Sequence, residues 1–243
     1  MKNITIILMI FWVNIFAQDK EVMRIPLIGE TAPSFIAEST EGKLNFPDDY
    51  FSKWKIIFSH PAAFTPVCST ELLELAKLQG KFKKLNTGIL VLSTDGVNSH
   101  LEWQKSLETI KYQGGETVDI DFPLISDKTL EISKLYGMIH PNYSSTRDIR
   151  GVFIIDPSNK IRAMMFYPSE TGRNMDEIMR TLIALQSSDD KNILTPANWD
   201  PGEDVLLESP TTEKESEKLS KNKNPDIYNL TWYLWFTKLL VSE

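Results

Sequence analysis

Apolar residues in this chain fall into runs of two kinds, and their alternation predicts the fold. Residues 55–58, Lys-Ile-Ile-Phe, form a short run of strand type. Residues 88–94 form a second run, apolar almost throughout and suited to a buried parallel strand. Between them Leu72, Leu75, Ala76, Leu78, Phe82 and Leu85 recur at helical spacing, so the three segments predict a βαβ unit. Leu101, Leu107 and Ile110 mark a further helix, and Ser99 to Glu102 has capping-box spacing at its start. Residues 122–125 read as a short strand and 129–136 as a short helix closed by Gly137. Residues 150–155 and 160–167 flank Asp156-Pro157-Ser158-Asn159 and predict a β-hairpin. A last core helix follows, capped at Asn174, with Ile178, Leu182, Ile183 and Leu185 as its apolar stripe. Residues 39–51 read as a polar hairpin region. The sum is an α/β sandwich around a central mixed β-sheet.

The two ends have a different texture. Residues 1–18 carry Lys2 and then an apolar core broken by Thr5 and Asn14, the pattern of a secretory signal peptide. This stretch falls short of the ~20 residues of a membrane span. Export to the periplasm or beyond is the expectation; an uncleaved interfacial anchor and a cytoplasmic protein are the alternatives. Residues 25–187 form the main domain, and 188–243 a C-terminal arm. Within the arm, 193–210 are poor in helix signals, and 211–224 are charged and expected to be mobile. Residues 227–241 turn apolar again, with Tyr228, Trp232, Tyr233, Trp235 and Phe236. That segment is short for a span and is expected to dock on a protein surface, with membrane-surface contact as the rival.

Composition narrows the function. Hydrophobic residues make up 42% and charged residues 24%, which suits a globular core. A net charge of −7 argues against nucleic acid as a partner. His60, His100 and His140 lie too far apart for a metal-binding spacing. One cysteine leaves no intramolecular disulfide, no Cys-x-x-Cys motif and no cysteine-based zinc cluster. No cofactor or metal is implied.

That cysteine, Cys68, stands in Ser59-His60-Pro61-Ala62-Ala63-Phe64-Thr65-Pro66-Val67-Cys68. Thr65 suits an N-cap and Pro66 the first helical position, which puts Cys68 at the third. Unpaired backbone N–H groups and the positive end of the helix dipole favour an anion there. The thiolate is the nucleophilic form of cysteine, so the placement points to chemistry. The alternative for a lone cysteine is a small buried hydrophobe.

Pro61-x-x-x-Thr65-x-x-Cys68 resembles the active-site motif of the peroxiredoxins of the AhpC/TSA family, and the wider string from His60 to Thr70-Glu71 resembles their one-cysteine group. Two later blocks agree: Arg150-Gly151-Val152-Phe153 with Thr171-Gly172-Arg173-Asn174, and Thr195-Pro196-Ala197-Asn198-Trp199. The resemblance covers roughly residues 25–210. It implies a thioredoxin-like fold whose lead-in strand and turn fall in residues 23–35. It implies Cys68 as the nucleophile that attacks a peroxide, Thr65 and Arg150 as peroxide-binding groups, and Pro61 as a shield from water. Glu71 and Arg173 match positions that hold the arginine in place, and His60 matches a histidine typical of the group. Trp103 matches an aromatic near the pocket, where core packing is the simpler role. Ala63 departs from a position that is often polar or charged.

The resemblance also implies a thiol-dependent peroxidase acting on hydrogen peroxide and organic hydroperoxides. With no second cysteine, reduction of the sulfenic acid needs an external thiol, either a small molecule or a thioredoxin- or glutaredoxin-like protein. A homodimer packed through the C-terminal arm is implied as well. Two rivals remain. One is a peroxide sensor or holdase without sustained turnover. The other is the phospholipase activity reported for some of the group, but Gly-x-Ser-x-Gly is absent and Phe51-Ser52-Lys53-Trp54 replaces the serine-bearing turn.

Overall fold

The computed structural model describes residues 24–191 and 193–238. The signal-like segment at residues 1–18 lies outside them. The elements in chain order are β1 (Phe35–Ser39), β2 (Gly42–Phe46), β3 (Trp54–Ser59), α1 (Pro66–Lys84), β4 (Thr87–Ser93) and α2 (Val97–Leu107). There follow β5 (Leu124–Ser126), α3 (Glu131–Leu135), β6 (Arg150–Ile155), β7 (Ile161–Tyr167) and α4 (Met175–Lys191). The arm adds β8 (Val205–Leu206), α5 (Glu213–Ser220), β9 (Ile227–Thr231) and β10 (Leu234–Thr237).

Among the described residues the main sheet runs β2-β1-β5-β4-β3-β6-β7. Its centre is parallel, with β4 between β3 and β5, and the flanking pairs are antiparallel. Side chains alternate across it. Ile56, Phe58, Ile89, Val91, Val152 and Ile154 pack under α1, α2 and α4. Ile57, Leu90, Leu92, Phe153 and Ile155 face the opposite layer, with Ile132 of α3, Tyr136 and Met138. Both faces are covered, which is why the central strands read as continuous apolar runs. Lys55 is the exception inside β3: it is buried, and its Nζ donates to the Asp156 carbonyl at 2.8 Å and to Asn159 Oδ1 at 2.5 Å. The turn of the β6–β7 hairpin supplies both acceptors, so the cation is bonded rather than stranded.

The same topology places the site. β3 and β6 are antiparallel with Phe58 opposite Val152, so the end of β3 lies beside the start of β6. Ser59 Oγ locks the junction by donating to the Ile149 carbonyl at 2.7 Å and accepting from the Gly151 amide at 2.8 Å. A Cβ on Gly151 would come within 3.0 Å of that hydroxyl and 3.2 Å of the Met138 sulfur, so the close approach requires glycine.

Several expectations need correction. The lead-in strand is reduced to one bridge between Thr31 and Lys160; the segment is stapled to the β6–β7 turn instead, through Gly29 N to Ile161 O and Ala32 N to Asn159 O, both 2.8 Å. α2 begins at Val97 with Gly96 as its cap, so Ser99 already lies inside the helix and no capping box forms there. Ile110 lies past its end, exposed. The charged stretch 211–224 is not featureless. Thr212 Oγ1 accepts from the Glu215 amide, and Glu215 Oε2 accepts from the Thr211 amide and hydroxyl, which starts α5. Thr-x-x-Glu spacing is a helix-start signal that the high charge obscured. Of the aromatic tail, residues 227–237 form the β9–β10 hairpin, and β10 pairs with β8 to make a small separate sheet, while residues 239–241 lie outside the described residues. Trp199, 1% exposed, packs with Ala184, Ile193 and Val205 and ties the arm to α4.

Phe153 is fully buried and meets Tyr136 and Phe166 edge-on at ring distances of 5.1 and 5.6 Å. Phe153→Ala is expected to cost about 3–5 kcal/mol of unfolding free energy. Urea unfolding measures it, and a loss below about 1 kcal/mol would contradict the packing described.

Candidate active site

Residues 60–65 carry the chain from the end of β3 to the start of α1. Thr65 is the N-cap in extended conformation (φ −102°, ψ 146°), and Pro66 opens the helix. The Thr65 side chain does not cap, contrary to expectation: its hydroxyl donates back to the Ala62 carbonyl at 2.8 Å. Among the described residues the first-turn N–H groups therefore have no side-chain cap, and a helix N-terminus left in that state favours an anion. Cys68 occupies this turn and is fully buried.

Its polar neighbour is Arg150, whose Nη1 donates to Cys68 Sγ at 3.2 Å and to Glu71 Oε2 at 2.8 Å. Nε and Nη2 of the same guanidinium donate to the Ser169 carbonyl at 3.1 and 2.5 Å. Glu71, one turn after Cys68, also holds Arg173. It accepts from the Arg173 amide at 2.8 Å, from Nε at 2.9 Å and from Nη2 at 2.7 Å. Arg173 Nη1 spends its bonds on the Ser59 and Gly151 carbonyls, both at 2.9 Å, and its guanidinium lies 5.2 Å over the Phe58 ring. Arg150, Glu71 and Arg173 are 2%, 3% and 7% exposed. Two buried guanidiniums face one carboxylate, so the cluster holds one positive charge in excess, next to the sulfur. Burial would raise the Glu71 carboxyl, but the charge and hydrogen bonds of Arg173, and then Arg150, outweigh it and hold it below the usual range.

His60 lies behind this cluster. It is fully buried, neither ring nitrogen has a hydrogen-bond partner among the described residues, and its ring stands 5.1 Å from Trp103 and 6.1 Å from His100. Burial, and then the Arg173 charge, push it down to about 4. His100, pushed down to about 4 by burial and by His60, shares a 2.8 Å hydrogen bond between Nε2 and Ser93 Oγ. Trp103 is buried, as expected, and its Nε1 also donates to Ser69 Oγ at 3.2 Å.

Pro61, Thr65, Pro66, Val67, Arg147 and Arg150 line a cleft of about 470 Å³, and Arg150 is the lining residue that also bonds the buried sulfur. A depression of similar size, lined by Tyr50, Lys83 and Asp121, holds none of these groups. Thus the fold brings Cys68, Arg150, Glu71 and Arg173 into direct contact, sets Pro61 and Thr65 at the cleft, and keeps His60 outside the hydrogen-bonded set. Two contributors escape sequence reasoning. Asp95 Oδ2 accepts from the Ala63 amide at 2.6 Å, so the loop is anchored through backbone at the position whose side chain is only a methyl. An Asp-Gly pair after an apolar strand was the available signal. Ser169 acts through its carbonyl, which no residue type announces.

Residues 28–164 match the AhpC/TSA family. The chain belongs to that family. Residues 184–223 match the C-terminal domain of 1-Cys peroxiredoxin. A peroxiredoxin of Methanosarcina mazei is 46% identical over 88% of this chain and 98% of its own. One from Thermotoga maritima is 44% identical over 89% and 99%. Among solved structures, the yeast mitochondrial 1-Cys peroxiredoxin superposes with a TM-score of 0.75 at 37% identity, covering 88% of this chain and all of that one. A cysteine-to-serine mutant of peroxiredoxin 6 from Arenicola marina gives 0.77 at 35% identity, covering 89% and 100%. The chain is a one-cysteine peroxiredoxin with a thioredoxin-like fold, and its activity is that of a thiol-dependent peroxidase.

The buried charges of this peroxiredoxin set how its stability responds to mutation and to pH. Glu71→Gln leaves two buried guanidiniums without their shared counter-charge and is expected to cost about 3–5 kcal/mol in urea unfolding. Because the folded Glu71 value is depressed, its contribution is full above the unfolded carboxyl value of about 4.3 and is lost as pH falls through the folded value. The histidines act at higher pH. Their folded values of about 4 lie below the unfolded 6.5, so the unfolded chain takes up protons first and stability falls as pH drops from 6.5 towards 4. Thermal midpoints across that window should decline in the native protein and decline less in His60→Phe; equal slopes would refute the assignment.

Proposed function

We propose that Cys68 carries the peroxidase reaction, with Arg150 as the group that orients and polarises the peroxide. The observation behind this is the guanidinium nitrogen 3.2 Å from a sulfur in the first turn of a helix, within a cluster that lacks one negative charge. The sulfur attacks the terminal peroxide oxygen. An S–O bond forms, the O–O bond breaks, and the sulfur gives up two electrons. The departing oxygen leaves as water or an alcohol, taking up the proton that the thiol has released. Charge builds on the two oxygens during this step, and fixed donors stabilise it without reorganising. Thr65 at the cleft supplies a further polar group, and Pro61 keeps water from the sulfur. Glu71 and Arg173 hold Arg150 in position, and His60 supports the loop from behind through Trp103.

The sulfenic acid then needs thiols from outside the chain, since Cys68 is the only cysteine. A first thiol condenses with it, releasing water and forming a mixed disulfide; a second thiol displaces Cys68 and leaves as the disulfide of the reductant. A fully buried sulfur, reached from a cleft of about 470 Å³ through its Arg150 wall, favours a small thiol for the first step over a thioredoxin- or glutaredoxin-like protein. A homodimer joined through the C-terminal arm fits the exposed Leu230, Trp232 and Tyr233 of the β9–β10 hairpin. Export fits the charge and apolar pattern of residues 1–18, and the mature N-terminus read by intact mass tests it.

Cys68→Ser should abolish turnover of hydrogen peroxide with a supplied thiol. Arg150→Ala should slow sulfenate formation roughly 10²–10³-fold, the loss typical of one transition-state donor. Stopped-flow oxidation and steady-state turnover measure both, and retained turnover in the serine variant would overturn the assignment.

A further inference from the structure

The catalytic arginine is held on one side by Glu71 and on the other by a backbone carbonyl, that of Ser169. That carbonyl belongs to the loop after β7, two residues past the strand and partly exposed. A loop carbonyl holds a guanidinium still only if the loop itself is held. The bond that does so comes from another loop. Tyr143 Oη accepts from the Ser169 amide at 3.0 Å and donates to Glu170 Oε2 at 2.6 Å. One phenol thereby grips two successive residues, one of which carries the carbonyl on Arg150. The bond to Tyr143 also draws the Glu170 carboxyl below its usual range.

Tyr143 is itself tied locally. The Tyr143 and Ser144 amides both donate to the His140 carbonyl at 2.8 Å, and its ring lines the cleft that Pro61, Thr65 and Arg150 share. The link therefore runs from Glu170 through Tyr143 and the Ser169 peptide to Arg150, and ends on Cys68. We propose that Tyr143 is a positioning residue for the peroxidase reaction: its hydroxyl fixes the Ser169 carbonyl and so aims the Arg150 guanidinium at the peroxide. The proposal rests on the peroxidase reading above and adds to it a hydroxyl that acts on Arg150 through the Ser169 backbone.

Aim and sulfur reactivity separate experimentally. Alkylation of Cys68 by iodoacetamide needs the sulfur anion but no oriented guanidinium, whereas oxidation by hydrogen peroxide needs both. Tyr143→Phe keeps the ring in the cleft and removes only the hydroxyl. It should slow oxidation about threefold to tenfold, the scale of one lost hydrogen bond, while alkylation changes less than about twofold. Glu170→Ala leaves the bond to the Ser169 amide and should slow oxidation less than Tyr143→Phe. In an Arg150→Lys background, which cannot make the paired bonds to the Ser169 carbonyl, Tyr143→Phe should add no further loss. Unchanged oxidation in Tyr143→Phe, an equal fall in both reactions, or the same loss in both backgrounds would each overturn the proposal. Absence of peroxide turnover in the native protein would instead overturn the peroxidase reading, so the two failures are distinct.

Discussion

Everything at this site depends on one carboxylate shared by two guanidiniums. Glu71 accepts from Arg150 and Arg173 with little exposure to water, and neither arginine could be buried so close to the other without it. Taking three charges out of water is costly, and it is tolerated because nearly every donor is used: Arg173 bonds Glu71, Ser59 and Gly151, while Arg150 bonds Glu71, Ser169 and the sulfur. The charge count is the chemical point. An even match of positive and negative groups would give a salt bridge and nothing more; the unmatched positive charge favours an anion beside it.

The sheet explains how residues 82 positions apart come to share that charge. α1 begins just past the end of β3, and β6 begins beside that end because it runs the opposite way. Ser59 fastens the two at Ile149 and Gly151, and Arg173 bonds the Ser59 and Gly151 carbonyls as well. The arginines are thus part of the joint between the strands, not additions to a finished scaffold. Stability and chemistry draw on the same hydrogen bonds here, so a change at Ser59 or Gly151 disturbs both.

How much of this was readable beforehand depends on the kind of signal. The central strands, α1 and the β6–β7 hairpin were legible because burial on both faces leaves long apolar runs and because Asp156-Pro157-Ser158-Asn159 marks the turn. Cys68, Arg150, Glu71 and Arg173 were legible as a motif, and the fold brings them into contact. The start of α2 is not legible in the sequence, since Ser99 has the spacing of a cap while Gly96 holds the position. α5 was missed because high charge masked Thr212 and Glu215. Thr65 has the residue type and place of a helix cap but its hydroxyl bonds Ala62, a choice made by the tight loop before it rather than by propensity. Ser169 and the Ala63 amide act through backbone atoms, and residue identity carries little information about those.

The charge balance bears on both steps of the proposed cycle. With the sulfur anionic, the cluster around Glu71 is neutral and its burial is least costly. Oxidation to a neutral sulfenic acid removes that negative charge, and the excess positive charge of Arg150 and Arg173 is again unmatched. In a buried site that excess is screened little by salt or water. Such an excess favours an anion over a neutral group, and for a sulfenic acid the useful anion would be a thiolate. On the role proposed above for Cys68, the excess charge that favours an anionic sulfur before oxidation would favour the approach of an anionic thiol after it, so one buried carboxylate against two guanidiniums would serve both halves of the reaction.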